Sequence, residues 1–171
     1  MADIQVIRTF LQGLTKEFRE LYIKASHCSW DAEVSGNERD FKRREEADLA
    51  LAMFFADKER FHRLKGFKEA SVDDPLIARQ VEVFYRAFLS KQGDERLLAK
   101  ITALEAKAGQ AFNTYRANID GKEYTDNELK DILRSSTDNE LLRKVWESNK
   151  RQGEVVEQDL IELVKLRNSL A

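Results

Sequence analysis

A single proline and seven glycines in 171 residues leave the chain short of the turn chemistry that a sheet-rich fold needs at every hairpin. One cysteine, Cys28, excludes an internal disulfide. With only two histidines, His27 and His62, there is no H-E-x-x-H pair to present two imidazoles to zinc, and P-loop, G-x-G-x-x-G, G-x-S-x-G and C-x-x-C motifs are also missing. No uncharged apolar run approaches the roughly 18 residues that span a bilayer. The opening MADIQVIRTF has neither the basic nor the apolar region of a secretion signal. Lysine plus arginine (29) nearly balance aspartate plus glutamate (31), for a net charge of -2, so no global basic field draws the chain onto nucleic acid or an anionic membrane. These absences predict a cytoplasmic protein with neither a membrane nor a nucleic acid as partner.

What is present suits long helices. The composition is 42% hydrophobic and 35% charged, and the apolar positions recur at three and four rather than at two. An all-α fold is expected, a single domain over residues 1–171 built from about six amphipathic helices in an antiparallel or crossing bundle, with no sheet. Ile4, Ile7, Leu11, Leu14, Phe18, Leu21, Ala25 and Cys28 form one seam with Asp3 as N-cap. The DAEVSGN segment breaks it, and Ser35 with Glu38 reads as a capping box for a second helix running to about Lys65. Within that helix residues 49–55, LALAMFF, are apolar around the whole circumference and mark the expected centre of the core. Asp74-Pro75 opens a helix with a face of Leu76, Ile77, Val81, Phe84, Tyr85, Phe88 and Leu89, and Gly93-Asp94 separates it from a seam running from Leu97 to Tyr115. Residues 118–121 carry turn chemistry. A short helix starts at the Thr125/Glu128 capping box, and Thr137 with Glu140 opens an amphipathic helix that runs uninterrupted to the end at Ala171, as if the chain were cut inside it.

Candidate chemistry is sparse. His27 and Cys28 are neighbours, about 100° apart on a helix, and do not share a metal without further ligands. Cys28 lies on the apolar seam and reads as a small buried hydrophobe. His62, between arginines in ERFHRLK, reads as a surface histidine. The mixed-charge runs at residues 41–46 and 56–65 suit solvated helix faces, and the many phenylalanines suit core. No catalytic, cofactor-binding or metal-binding residue is nominated.

Two segments nevertheless carry a family resemblance. EFRELYIKASHCSWDAEVSGN (residues 17–37) has Ala25 and Trp30 near the end of a first helix, ahead of a polar turn and a second long helix. ELKDILRSSTDNELLRKVWESNKRQGEVVEQDLIELVKLRNSLA (residues 128–171) contains L-R-S-S-x-D-x-x-L-L-x-x-x-W-E, Gly153 and L-V-K-L-R-N-x-L-A. Together they resemble the N-terminal region of the peptidyl-dipeptidase A family, the zinc metallopeptidases akin to angiotensin-converting enzyme, and of the related oligoendopeptidases. The resemblance implies the helical part that forms a wall and lid over a deep peptide channel. It implies short peptides as substrates of the full-length protein and a downstream catalytic half as partner. The family's zinc ligands and glutamate base are expected downstream of Ala171, so this chain alone is expected to hold no cofactor and to be inactive. An exposed stripe of Leu160, Leu163, Val164 and Leu170 is then expected to pair the fragment as a homodimer. The alternative is a self-contained helical interaction or scaffold domain.

Overall fold

The computed structural model describes residues 3–70 and 72–170. Among them are eight α-helices, one 3₁₀ turn and a hairpin of two three-residue strands. The all-α class stands; the helices are more numerous and shorter than the periodicity suggested. The chain divides into two compact units, one comprising residues up to Thr102 together with Leu170, the other Ala103–Ser169.

In the first unit, α1 (Ile4–Ser35) starts where the Gln5 amide donates to Asp3 Oδ1 at 2.9 Å. It runs through the first five residues of DAEVSGN and ends within that segment, as expected. Ala32 is fully buried, and the helix stops only at Gly36, whose φ of 66° is a left-handed conformation that the missing Cβ makes accessible. Because Ser35 still belongs to α1, the expected Ser35/Glu38 capping box does not form. The Ser35 hydroxyl donates to Asp40 Oδ2 at 2.7 Å instead, and Asn37 is the N-cap of α2 (Glu38–Ala56).

α2 returns antiparallel along α1. Near the turn, small residues let the two backbones approach: Ala25 and Cys28 pack against Ala47, with Leu51 beside them. At the far end the interface widens to aromatics, Phe18 meeting Phe54 and Phe55. The second helix expected to reach Lys65 is in fact two. Asp57 is extended (ψ 110°), and its Oδ1 accepts the Arg60 amide at 2.9 Å, so that it caps α3 (Lys58–Glu69). The chain turns there, and α3 pairs with α4 (Pro75–Leu89), Phe61 stacking on Tyr85 at 5.5 Å and Lys68 reaching Glu82 at 2.9 Å. Asp74 caps α4 through the Leu76 and Ile77 amides, with Pro75 at the first helical position as the sequence indicated.

The core of this unit joins α1, α2, α3 and α4 through Ile7, Leu11, Leu14, Phe54, Leu64, Ile77, Val81 and Phe88. Its centre is not the all-apolar run. Of residues 49–55 only Ala52 and Phe54 are buried, while Ala50 and Met53 face out; a helix packed on one side has an outer face whatever its sequence. Within this cluster Leu64 and Phe88 have no exposure at all.

α5 (Glu95–Thr114) begins at Asp94, which accepts the Arg96 amide at 2.7 Å, and its last residues belong to the second unit. There β1 (Ala117–Ile119) and β2 (Lys122–Tyr124) pair antiparallel, Ile119 opposite Lys122. Asp120 (φ 54°) and Gly121 (φ 87°) make the two-residue turn with both φ positive that suits the twist of a hairpin. The region read as a plain turn is thus the tip of a small sheet, with Ala117 and Ile119 facing Leu129 and Val145. α6 (Asp126–Ser135) starts with the expected capping box: the Glu128 amide donates to Thr125 Oγ1 at 3.3 Å and the Thr125 amide to Glu128 Oε2 at 2.7 Å. The Thr125 amide, together with the Thr125 hydroxyl that donates to Glu128 Oε2 at 2.8 Å, holds the Glu128 carboxyl below the usual carboxylate range.

The long terminal helix does not exist as one element. Asp138, not Thr137, is the N-cap, accepting the Glu140 and Leu141 amides at 2.9 and 3.2 Å. It opens α7 (Asn139–Lys150), which gives way to a 3₁₀ turn at Arg151–Gly153 and then to α8 (Glu157–Leu170). The break is fixed by Gln152, buried, whose Nε2 donates to the Phe112 carbonyl at 2.9 Å, and by Val156, also buried. Consequently the stripe of α8 divides. Leu163 is 5% exposed, whereas Leu160 and Val164 are 47% and 55% exposed. Ala171, where a cut helix was expected to end, lies outside the described residues.

Candidate functional site

The residues singled out for chemistry lie apart. His27 is exposed on α1, and Cys28, one position on, is a free buried thiol among Ala25 and Ala47. His62 sits on α3 with Nδ1 2.6 Å from the Lys58 carbonyl; since a carbonyl only accepts, Nδ1 carries the proton.

What the first unit does form is an anchored corner. A groove of about 430 Å³ runs between α1 and the start of α3. On one side Phe10, Gly13, Leu14 and Glu17 follow one face of α1; on the other are Asp57, Glu59, Arg60 and Arg63. Arg60 reaches Glu17 at 2.8 Å and Asp57 at 3.2 Å, with its guanidinium 5.0 Å from the Phe54 ring centre. Arg63 lies over Phe10 at 4.1 Å. The same Asp57 therefore ends α2, caps α3 and takes the arginine that ties α3 to α1. Each pair is partly exposed and by itself is worth at most about 1 kcal/mol, but the set fixes the angle of the corner. Sequence reading passed over Asp57, although aspartate ahead of Lys-Glu-Arg is an ordinary helix-start signal.

A second groove, of about 380 Å³, is lined by Tyr22, Ala25, Ser29, Trp30 and Leu51. Here Trp30 is 68% exposed and Tyr22 54%, so the aromatics lie on its open rim. No helix among the described residues is long and apolar enough to cross a membrane.

The model of the peptidase M2 family, angiotensin-converting enzyme, matches residues 1–171. The chain belongs to the angiotensin-converting enzyme family. The resemblance carried by residues 17–37 and 128–171 is thus part of a match across the whole sequence. A comparison with curated proteins gives no match. Among the described residues no three of His, Cys, Asp and Glu come together as a ligand group.

Proposed function

We propose that this chain is the helical N-terminal wall and lid of the peptide channel in an angiotensin-converting-enzyme-like zinc metallopeptidase. The zinc ligands and the general base would be supplied by a catalytic half elsewhere in the polypeptide. The observation that carries this reading is the family match over residues 1–171. A lid that excludes folded proteins and admits short peptides has to act as a body, and the Arg60 anchor supports that role by tying α1 to the corner of α2 and α3. A cytoplasmic setting accords with the single free, buried Cys28.

The test compares two preparations. The 171-residue chain alone is expected neither to bind stoichiometric zinc nor to release dipeptides from short peptides. The product of the reading frame continued past the codon for Ala171 is expected to do both, with chelator sensitivity. Chelator-sensitive dipeptide release by the short chain, or a stop codon directly after Ala171, overturns the reading. A stop codon would favour the second reading, a self-contained interaction domain. The exposed Leu160, Ile161 and Val164 on α8 favour it, offering apolar surface to a partner or to a second copy.

A further inference from the structure

Along the other side of α1 lies a third groove, of about 600 Å³, between α1 and α4. Lys16 and Arg19 project along it, with Gln12 at one end, Ile23 at the other and Gln80 opposite on α4. Among the described residues neither Lys16 nor Arg19 makes an ion pair, in contrast to Arg8 on the same helix, which reaches Asp74 at 3.6 Å. Nor do the exposed Lys24 and Arg79, which follow Ile23 and precede Gln80 in the chain.

The carboxylates of these two stretches mostly turn elsewhere. Glu17 is engaged by Arg60 at 2.8 Å, and Glu82 by Lys68 at 2.9 Å and by Arg86, contacts that hold the Glu82 carboxyl below its ordinary range. Glu20 alone stays in the groove as a negative group. A chain with a net charge of -2 thus carries a locally cationic face, where Ile23 is 45% exposed and where Leu76 and Val83, about one helical turn to either side of Gln80 on α4, are 75% and 48% exposed.

From this juxtaposition we infer that the α1/α4 groove docks an acidic polypeptide segment. Its carboxylates pair with Lys16 and Arg19, its apolar side chains cover Ile23, Leu76 and Val83, and its backbone amides meet the amides of Gln12 and Gln80. Charge complementarity selects the partner, and the apolar flanks hold it against salt. A nucleic acid fits less well: the groove offers no aromatic side chain for a base to stack on. The inference rests on the first unit alone and is independent of the peptidase reading.

The test is fluorescence anisotropy with a short labelled peptide of glutamate, leucine and serine, against its lysine-for-glutamate counterpart. The acidic peptide is expected to bind, and more weakly as salt rises. The charge reversal Lys16→Glu/Arg19→Glu is expected to weaken it by roughly tenfold or more and to confer binding of the lysine peptide. Leu76→Ser/Val83→Ser, at two exposed positions that leave folding intact, is expected to weaken the binding that persists at high salt. Reversing Lys42 and Lys65, exposed elsewhere in this unit, is expected to change nothing. The inference is overturned if the acidic peptide does not bind, if the Lys42/Lys65 reversal costs as much as the groove reversal, or if the lysine peptide binds the unaltered chain equally well. Tighter binding of a single-stranded oligonucleotide or of phosphatidylserine vesicles also overturns it.

Discussion

Replacing Phe88 by alanine tests where the core of the first unit lies. Phe88 is fully enclosed, with the rings of Phe54 and Phe55 at 5.4 and 5.3 Å. Returning such a side chain to water costs about 1.5–3 kcal/mol, and each oriented ring pair adds about 0.5–1.5 kcal/mol beyond area. The core around it is drawn from α1, α2, α3 and α4 and cannot close inward as one body, so part of the ring volume stays as a cavity. Measured phenylalanine-to-alanine losses of about 3–5 kcal/mol are the appropriate expectation. For a domain whose whole stability is about 5–15 kcal/mol, that is a large fraction. Met53→Ala, in the middle of the most apolar run of the sequence, removes a side chain that is 36% exposed and should cost less than about 1 kcal/mol. Urea unfolding followed by far-UV circular dichroism reads both, and hydrogen exchange of the α1, α2 and α4 segments reports the loss locally. Equal losses for the two variants, or a loss below about 1 kcal/mol for Phe88→Ala, would show that residues 49–55 are the centre after all.

Three further outcomes follow. Asp138→Ala should cost about 1 kcal/mol and Thr137→Ala almost nothing, because Asp138 holds the amides that start α7; equilibrium unfolding of both variants distinguishes the caps. Leu163→Glu should unfold the second unit, while Leu160→Glu should leave helicity intact, since only Leu163 is buried; circular dichroism and thermal melts check both. Glu128, held low by the Thr125 bonds, and Asp40, held low by the Ser35 hydroxyl, contribute stability that is full above the unfolded carboxylate values of about 4. It is lost as pH falls through their lower folded values. Lys144, raised by the Asp120 carboxylate, contributes stability that is present below its unfolded value and lost as pH rises through the folded one. Glu128→Gln should therefore flatten the acid limb of a stability titration and leave the alkaline limb unchanged.

The local rules legible in the sequence were those that act within a few residues of their cause. Asp3, Asp74, Asp94 and the Thr125/Glu128 box all start helices where their side chains indicated, because an aspartate or threonine oxygen two or three residues from an unpaired amide needs no partner from elsewhere. The seam on α1 was legible for the same reason: Ile7, Leu11, Leu14, Ala25 and Cys28 are all buried, a consequence of 3.6-residue periodicity alone. The all-α class followed from composition, and the family from two segments that lie within the match over residues 1–171.

What tertiary structure alone decided were the choices between caps and the places where periodicity had to yield. The sequence placed the caps at Ser35 and Thr137, but burial of Ala32 carried α1 onward past the first and the Asp138 carboxylate took the two amides at the second. The helix at residues 38–65 breaks at Asp57 because the corner is held by Arg60 and Glu17, forty-odd residues apart in the chain, a contact no local pattern contains. The last helix breaks because Gln152 finds the Phe112 carbonyl. The same holds for the grooves: a cation reads alike in sequence whether or not a carboxylate meets it, and only the packing of α1, α3 and α4 draws Glu17 and Glu82 away from Lys16 and Arg19. Long-range pairing is a property of the folded arrangement, so it became visible only once the helices had been placed against one another.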